Sequence, residues 1–380
     1  MRTVIRNILI GVVLLASAGQ AFAYPPDNAA VLYHRAFMLL EEPNDVLCKM
    51  LAAVRKGEAK PDDQVRQYVG RNRRVIKYAV TAADISHCDW GYDLSEGLSL
   101  QLPELAKCRQ LCYLLVVDAK ILAEKGDTKA AIERCLAIYE MGRHVGNDML
   151  VHRLVGIALN GAANGCIVDI LPQVSGDCEM LNWLRVRLAD VSSKCPSMRA
   201  AVAKEAEVCE QNINREGILA IAEGEPCNVP REILQRDDEF YVRAREYYRS
   251  TMAKIQSVFD LPYSESLRRV EGLVQEAEND VNEKPEAVIT RILFPAMWRI
   301  ISLDTRSKTH LNAVLAGIDI YIIRAKTGKL PDELPAGLPK DMFSGKDFLY
   351  EKTGAGFILK CQGKELDKDI VQKYEFKIAK

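Results

Sequence analysis

"PELAKCRQLCYLLVVDAKILAEKGDTKAAIERCLAIYEMG", residues 103–142, is the stretch that decides the fold. Leu105, Cys108, Cys112, Leu115, Ala119 and Leu122 recur at spacings of three and four behind Pro103, so one face of a helix is apolar. Glu124-Lys125-Gly126-Asp127 then interrupts the period with a glycine and a capping aspartate, and Ile132, Cys135, Tyr139 and Gly142 resume it. Two antiparallel helices joined by a tight turn follow.

The same period runs along most of the chain. Helices are expected at 29–41, 62–80, 147–170, 179–193, 197–222, 231–258, 264–280, 286–301 and 305–326, with short Gly- or Pro-marked links between them. Such links favour neighbouring, mostly antiparallel helices, and a pair apolar on two sides must stack on the next. "GDTKAAIERCLAIYE", residues 126–140, resembles the second half of a tetratricopeptide repeat, with Ala131 and Cys135 at its small and larger apolar positions. The expected fold class is therefore mainly α, an irregular antiparallel helical solenoid ending in a small helix-plus-β-hairpin module. Residues 24–175 and 176–304 are expected as two helical regions and 305–380 as the C-terminal unit.

Residues 1–23 have the three parts of a secretory signal. Arg2 and Arg6 supply the positive start, Ile8 to Ala16 is an apolar run too short to span a bilayer, and Ala21-Phe22-Ala23 offers a cleavage site. The expected product begins near Tyr24 and works outside the cytoplasm, periplasmic or extracellular. No Cys follows the cleavage site to carry a lipid. No later span is expected either: in "LVGIALNGAANGCIVDIL", residues 154–171, Asn160, Asn164 and Asp169 interrupt the apolar run. Gly161 and Gly165 there are expected to admit a close neighbouring helix inside a protein core, with the Asn side chains hydrogen-bonded.

Lys plus Arg (51) balances Asp plus Glu (52), which removes the electrostatic footprint of a nucleic-acid binder. The eleven Cys cannot all pair within one chain. Cys108, Cys112, Cys135 and Cys166 fall on apolar stripes and are expected as buried filler. Cys178, Cys195, Cys209 and Cys227 fall near helix ends or loops, where a disulfide is easier to accommodate.

One cluster could carry chemistry. "HCDWGYD", residues 87–93, holds an imidazole, a thiol and two carboxylates, the material of a metal site or an acid–base pair. Neighbouring His87 and Cys88 diverge in most backbones, and no second ligand pair of zinc spacing appears. The competing reading has Asp capping a helix, Gly turning the chain and Trp plugging a gap. His87, Asp89, Trp90 and Asp93 are thus candidate ligand-binding residues, with no catalytic residue, metal or cofactor assigned. His34, His144, His152 and His310 are weaker candidates. No G-x-S-x-G, Walker, H-E-x-x-H or Rossmann pattern is present. "DDEFYVRAREYYRS", residues 237–250, reads as an amphipathic helix with Phe240, Ala244, Tyr247 and Tyr248 on one face.

"TGKLPDELPAGLPKDMFSGKDFLYEK", residues 327–352, closes the last helix at Gly328 and blocks it with Pro331. Phe348-Leu349-Tyr350 and Phe357-Ile358-Leu359 flank Thr353-Gly354-Ala355-Gly356 in hairpin fashion. Their apolar side chains are expected to rest on Leu315, Ile318, Ile322 and Ala325 of the preceding helix. Tyr321, Gly328, Lys329, Leu330, Pro331, Leu334, Pro339, Asp341, Phe343, Gly345, Lys346 and Tyr350 resemble the C-terminal part of type II secretion pseudopilins. The pseudopilin processing site and long N-terminal helix are absent, so pseudopilus assembly is not implied. Many pseudopilins bind calcium in a late loop; here Asp367 and Asp369 offer two donors where six to eight oxygens are needed. Including "YPPDNAAVLYHRAF", residues 24–37, the chain is similar to a family of exported bacterial helical proteins that end in this module.

Three functions follow as expectations. The first is an exported scaffold that binds a protein or peptide partner. The second is a small-molecule or metal-dependent envelope enzyme or binder using His87 to Asp93. The third is a structural envelope component. A concave helical face would favour the first and a convergent pocket around Asp89 and Trp90 the second.

Overall fold

Asparagine and aspartate side chains set many of the helix boundaries. The computed structural model describes residues 27–93, 100–223, 229–293 and 297–378; residues 1–23, Ser95-Glu96-Gly97 and Cys227 lie outside them. Helix α1 (Ala29–Leu39) is capped by Asn28 and α2 (Asp45–Lys56) by Asn44, whose side chain accepts from Leu47 N at 2.9 Å. Gly57 ends α2 at φ +75°, donating to the carbonyls of Ala53 and Val54. This helix was not expected, although Leu47, Met50, Leu51 and Val54 carry its period. The helix expected over 62–80 is two, α3 (Asp63–Arg71) and α4 (Arg73–Ala83). Between them, buried Asn72 turns its Oδ1 to Glu41 N (3.2 Å) and its Nδ2 to Tyr68 O (3.0 Å).

The hairpin read from residues 103–142 is present. Pro103 starts α5 (Pro103–Glu124), and Asp127 caps α6 (Thr128–Val145) by accepting from Ala130 N at 3.2 Å. Helix α7 (Leu150–Val174) packs back along α6. Cys112, Cys135 and Cys166, one from each of these helices, are buried, and Cys166 Sγ points to Val116 O at 4.0 Å. No disulfide forms among the described cysteines. Cys209 is buried too, while Cys178 and Cys195 are half-buried.

Helix α7 is long and apolar enough to cross a membrane, yet 61% of its most apolar window is buried inside the fold. The expectation for its glycines is corrected. A Cβ on Gly161 or Gly165 would meet nothing within 4 Å, whereas one on Gly156 would lie 2.5 Å from Gly142 O. The close approach is made by Gly142 and Gly156, the latter on α7 ahead of the G-x-x-x-G pair. Asn164 accepts from the Tyr139 hydroxyl, while Asn160 donates to Cys195 Sγ at 3.7 Å and leaves Oδ1 unpartnered.

Helices α8 (Cys178–Ser193), α9 (Met198–Gln211), α10 (Arg215–Glu223), α11 (Arg231–Leu234), α12 (Asp238–Val258), α13 (Tyr263–Asp280) and α14 (Ala287–Leu293) follow. The spans 197–222 and 231–258 were each expected as one helix. Asn212 to Asn214 break the first, and Asp237, accepting from Phe240 N at 2.9 Å, restarts the second. Conversely, the link expected near 302–304 does not exist. Helix α15 (Met297–Thr327) runs through it, with Ser302 bonded to the Tyr263 hydroxyl (2.9 Å) and Asp304 paired with Lys308 (2.6 Å).

The chain ends in an antiparallel sheet ordered β1 (Leu349–Thr353), β2 (Gly356–Lys360), β3 (Lys373–Lys377), so the expected hairpin gains a third strand. It docks on α15. Phe376 lies against Gly317, where a Cβ would strike its ring, and Tyr321 meets Phe357 edge-on at 5.4 Å and donates to Lys377 O. The architecture is mainly helical with this small sheet.

Candidate functional site

The His87–Asp93 loop is clasped to α1 by its backbone. Asn28 donates from Nδ2 to Asp89 O (2.7 Å) and accepts at Oδ1 from Asp89 N (2.9 Å), while Ala29 N donates to His87 O (2.9 Å). Asp89 Oδ1 accepts from Gly91 N at 2.9 Å, and Gly91 supplies the φ of +73° that this turn requires. Trp90 is half-buried, stacked on Tyr33 (5.6 Å) and Phe37 (6.3 Å), and donates from Nε1 to His144 O at 3.0 Å. The side chains of His87, Asp89 and Asp93 are exposed, and none of the four candidates lines a cavity described below. Half-buried Asp148 has its carboxyl pushed up by burial and by the charge of Asp89.

Beneath the loop, His144 is fully enclosed. Arg143 Nη2 lies 2.6 Å from its Nε2, and since a guanidinium has no acceptor, that nitrogen accepts. The ring proton therefore sits on Nδ1 and is donated to the Tyr33 hydroxyl at 3.0 Å. Burial, then the Arg143 charge, pulls His144 down to about 3, so the imidazole is neutral. Arg143 also donates to Ser86 O (3.1 and 3.2 Å) and pairs with Glu140 at 2.7 Å, pinning the start of the loop to α6. His152 is buried as well and burial alone pulls it down to about 4.

Arg143 also faces the largest of the described cavities. A groove of about 790 Å³ runs between the end of α4, one face of α6 and one face of α8. Lys129, Glu133, Glu140 and Arg143 share the α6 face, and Trp183, Arg187, Asp190 and Lys194 the α8 face, at spacings of three, four and seven. Asp84 closes one side. Glu140 is taken by Arg143 and Asp190 by Lys194 (2.7 Å). Lys129 lies over the Trp183 ring at 5.8 Å, and neither it nor Arg187, Asp84 or Glu133 has an ion partner among the described residues. The groove thus presents two bases, two acids and a half-buried indole. Its residues were each visible as polar positions on helical faces, and only the fold brings the two faces together.

In the C-terminal module the hub is Asp341, buried, accepting from Phe343 N (2.9 Å), Ser344 Oγ (2.7 Å), Gln362 N (2.9 Å) and Gly363 N (2.8 Å). Asp369 pairs with Lys364, and Asp367 keeps Oδ1 buried and unpartnered. Among the described residues no cluster of three or more His, Cys, Asp or Glu is arranged to hold a metal ion. Comparison with known proteins gives no match: no family model, no curated protein and no solved structure is similar to this chain.

Proposed function

We propose that this protein is an exported, repeat-like helical scaffold that holds an extended segment of a partner protein in the groove between α4, α6 and α8. The groove's charge carries the reading. Lys129 and Arg187 offer donors to acidic side chains, Asp84 and Glu133 offer acceptors to basic ones, and Trp183 offers a flat apolar seat between them. Interspersed charge of both signs favours a mixed-charge peptide over a nucleic acid or an anionic membrane, either of which calls for a basic face. Export rests on the signal-like residues 1–23. The pseudopilin-like C-terminal module is then an appendage fixed to α15, which packs on α8.

Selection from a displayed random-peptide library tests this. Enriched sequences are expected to place an aromatic or aliphatic residue between acidic and basic ones, and their binding should weaken at least tenfold in Trp183→Ala/Arg187→Glu and fall with added salt. No enrichment, or peptides that bind this double variant equally well, would overturn the proposal.

A further inference from the structure

A second cavity, of about 360 Å³, opens between the α1–α2 link, α2, α3 and α5. Most of its wall is apolar, from Leu40, Pro43, Leu51, Ala52, Tyr68 and Leu114. The acids at its rim are spoken for: Glu41 pairs with Arg71 and Glu42 with Lys107, each at 2.8 Å. The Tyr68 hydroxyl is also used, donating to Glu41 O at 3.0 Å. One charge in the lining is left over. The Arg55 guanidinium lies 3.7 Å over the Tyr113 ring and makes no ion pair or hydrogen bond among the described residues.

Stacking fixes the plane of a guanidinium and leaves its N–H edge free, and that edge matches a carboxylate in two parallel hydrogen bonds. We propose that this cavity binds a small amphiphilic carboxylate, with its alkyl or aryl body against Leu51 and Leu114 and its carboxylate on Arg55. The unbalanced charge is positive, which excludes an amphiphilic amine as the preferred ligand. An inorganic anion would leave the apolar wall unused, and a volume near the low end of the roughly 300–1,000 Å³ typical of ligand cavities excludes a two-chain lipid. This site is separate from the charged groove and does not depend on its occupant.

Cys48 lines the cavity and is exposed, so it reports on occupancy. The experiment follows alkylation of Cys48 in the full mature protein by iodoacetamide, read by peptide mass spectrometry, with octanoate, octanol or octylamine present. Octanoate is expected to slow Cys48 at least fivefold at concentrations at least tenfold below those at which octanol or octylamine does so, while half-buried Cys178 reacts unchanged. Arg55→Met should bind octanoate and octanol alike, and Ala52→Trp, which fills the cavity, should remove protection by both. Equal protection by octanoate and octylamine in the unmodified protein, or none by octanoate below its aggregation limit, would overturn the proposal whatever the variants do.

Discussion

The Tyr33 hydroxyl and His144 Nδ1 meet 3.0 Å apart in the core, although 111 residues separate them in the chain. That bond ties α1 to the end of α6, and Trp90 seals it from above by stacking on Tyr33 and donating to His144 O. Tyr33→Phe would leave the Nδ1 proton buried without an acceptor. A loss of about 1–3 kcal/mol is expected in urea unfolding, with the fold kept. An unchanged midpoint would mean that His144 finds another acceptor.

The same ring predicts a pH dependence. An unfolded histidine titrates near 6.5, whereas burial holds His144 at about 3 and His152 at about 4. Between those values the unfolded chain binds more protons than the folded one. Their stabilising share is therefore whole above about pH 6.5 and is lost as pH falls through 6.5 toward 4 and 3. Calorimetry from pH 7 to pH 5 should show a falling Tm, on the order of 1–2 kcal/mol for each ring. His152→Gln should flatten the slope.

Glycines on α6 and α7 separate packing from pattern. Gly156→Ala would drive a Cβ into the Gly142 carbonyl, a backbone atom that cannot step aside, and should cost about 1–3 kcal/mol or more. Gly161→Ala meets open space and should stabilise the helix by about 0.5–1 kcal/mol. Thermal unfolding of the two variants side by side checks the assignment, and the reverse order would restore the G-x-x-x-G pair as the contact.

Asp341 holds the proline-rich excursion to the sheet. Asp341→Ala strips the partners from three backbone N–H groups and one hydroxyl, and a loss of about 3–5 kcal/mol is expected. Hydrogen exchange should show lost protection at Phe343, Gln362 and Gly363 while α5 to α7 stay protected. Loss of protection throughout would show that the module and the helices unfold together.

Residues 103–142 gave up their structure readily because Pro103, Asp127 and the apolar period act locally. Helix α2 is equally legible in Asn44, Gly57 and the period of Leu47, Met50, Leu51 and Val54. The break at Asn72 was not legible, since its side chain serves Glu41, thirty-one residues away. Nor was continuity through Ser302 and Asp304, polar residues whose partners Tyr263 and Lys308 make them tolerable inside α15. The loop at His87 to Asp93 holds its chemistry and much of its structural account in the sequence: Gly91 turns the chain and Trp90 fills a gap, whereas the aspartate expected to cap a helix, Asp89, instead accepts from Gly91 N within the turn. The groove next to it was hidden because each face reads as an ordinary solvated stripe. Its meaning arises only when Lys129 reaches Trp183 across two helices.

The most direct test of the groove uses two neighbouring positions on α8. Arg187 faces the groove, whereas Val186 beside it on the same helix is 67% exposed and does not line it. A photo-crosslinking residue is placed at each position in turn and the protein is irradiated in the cells that make it. Position 187 should yield one discrete crosslinked polypeptide that Trp183→Ala removes, and position 186 should not yield it. The same product from both positions, or a product at 187 that survives Trp183→Ala, would contradict partner binding in this groove.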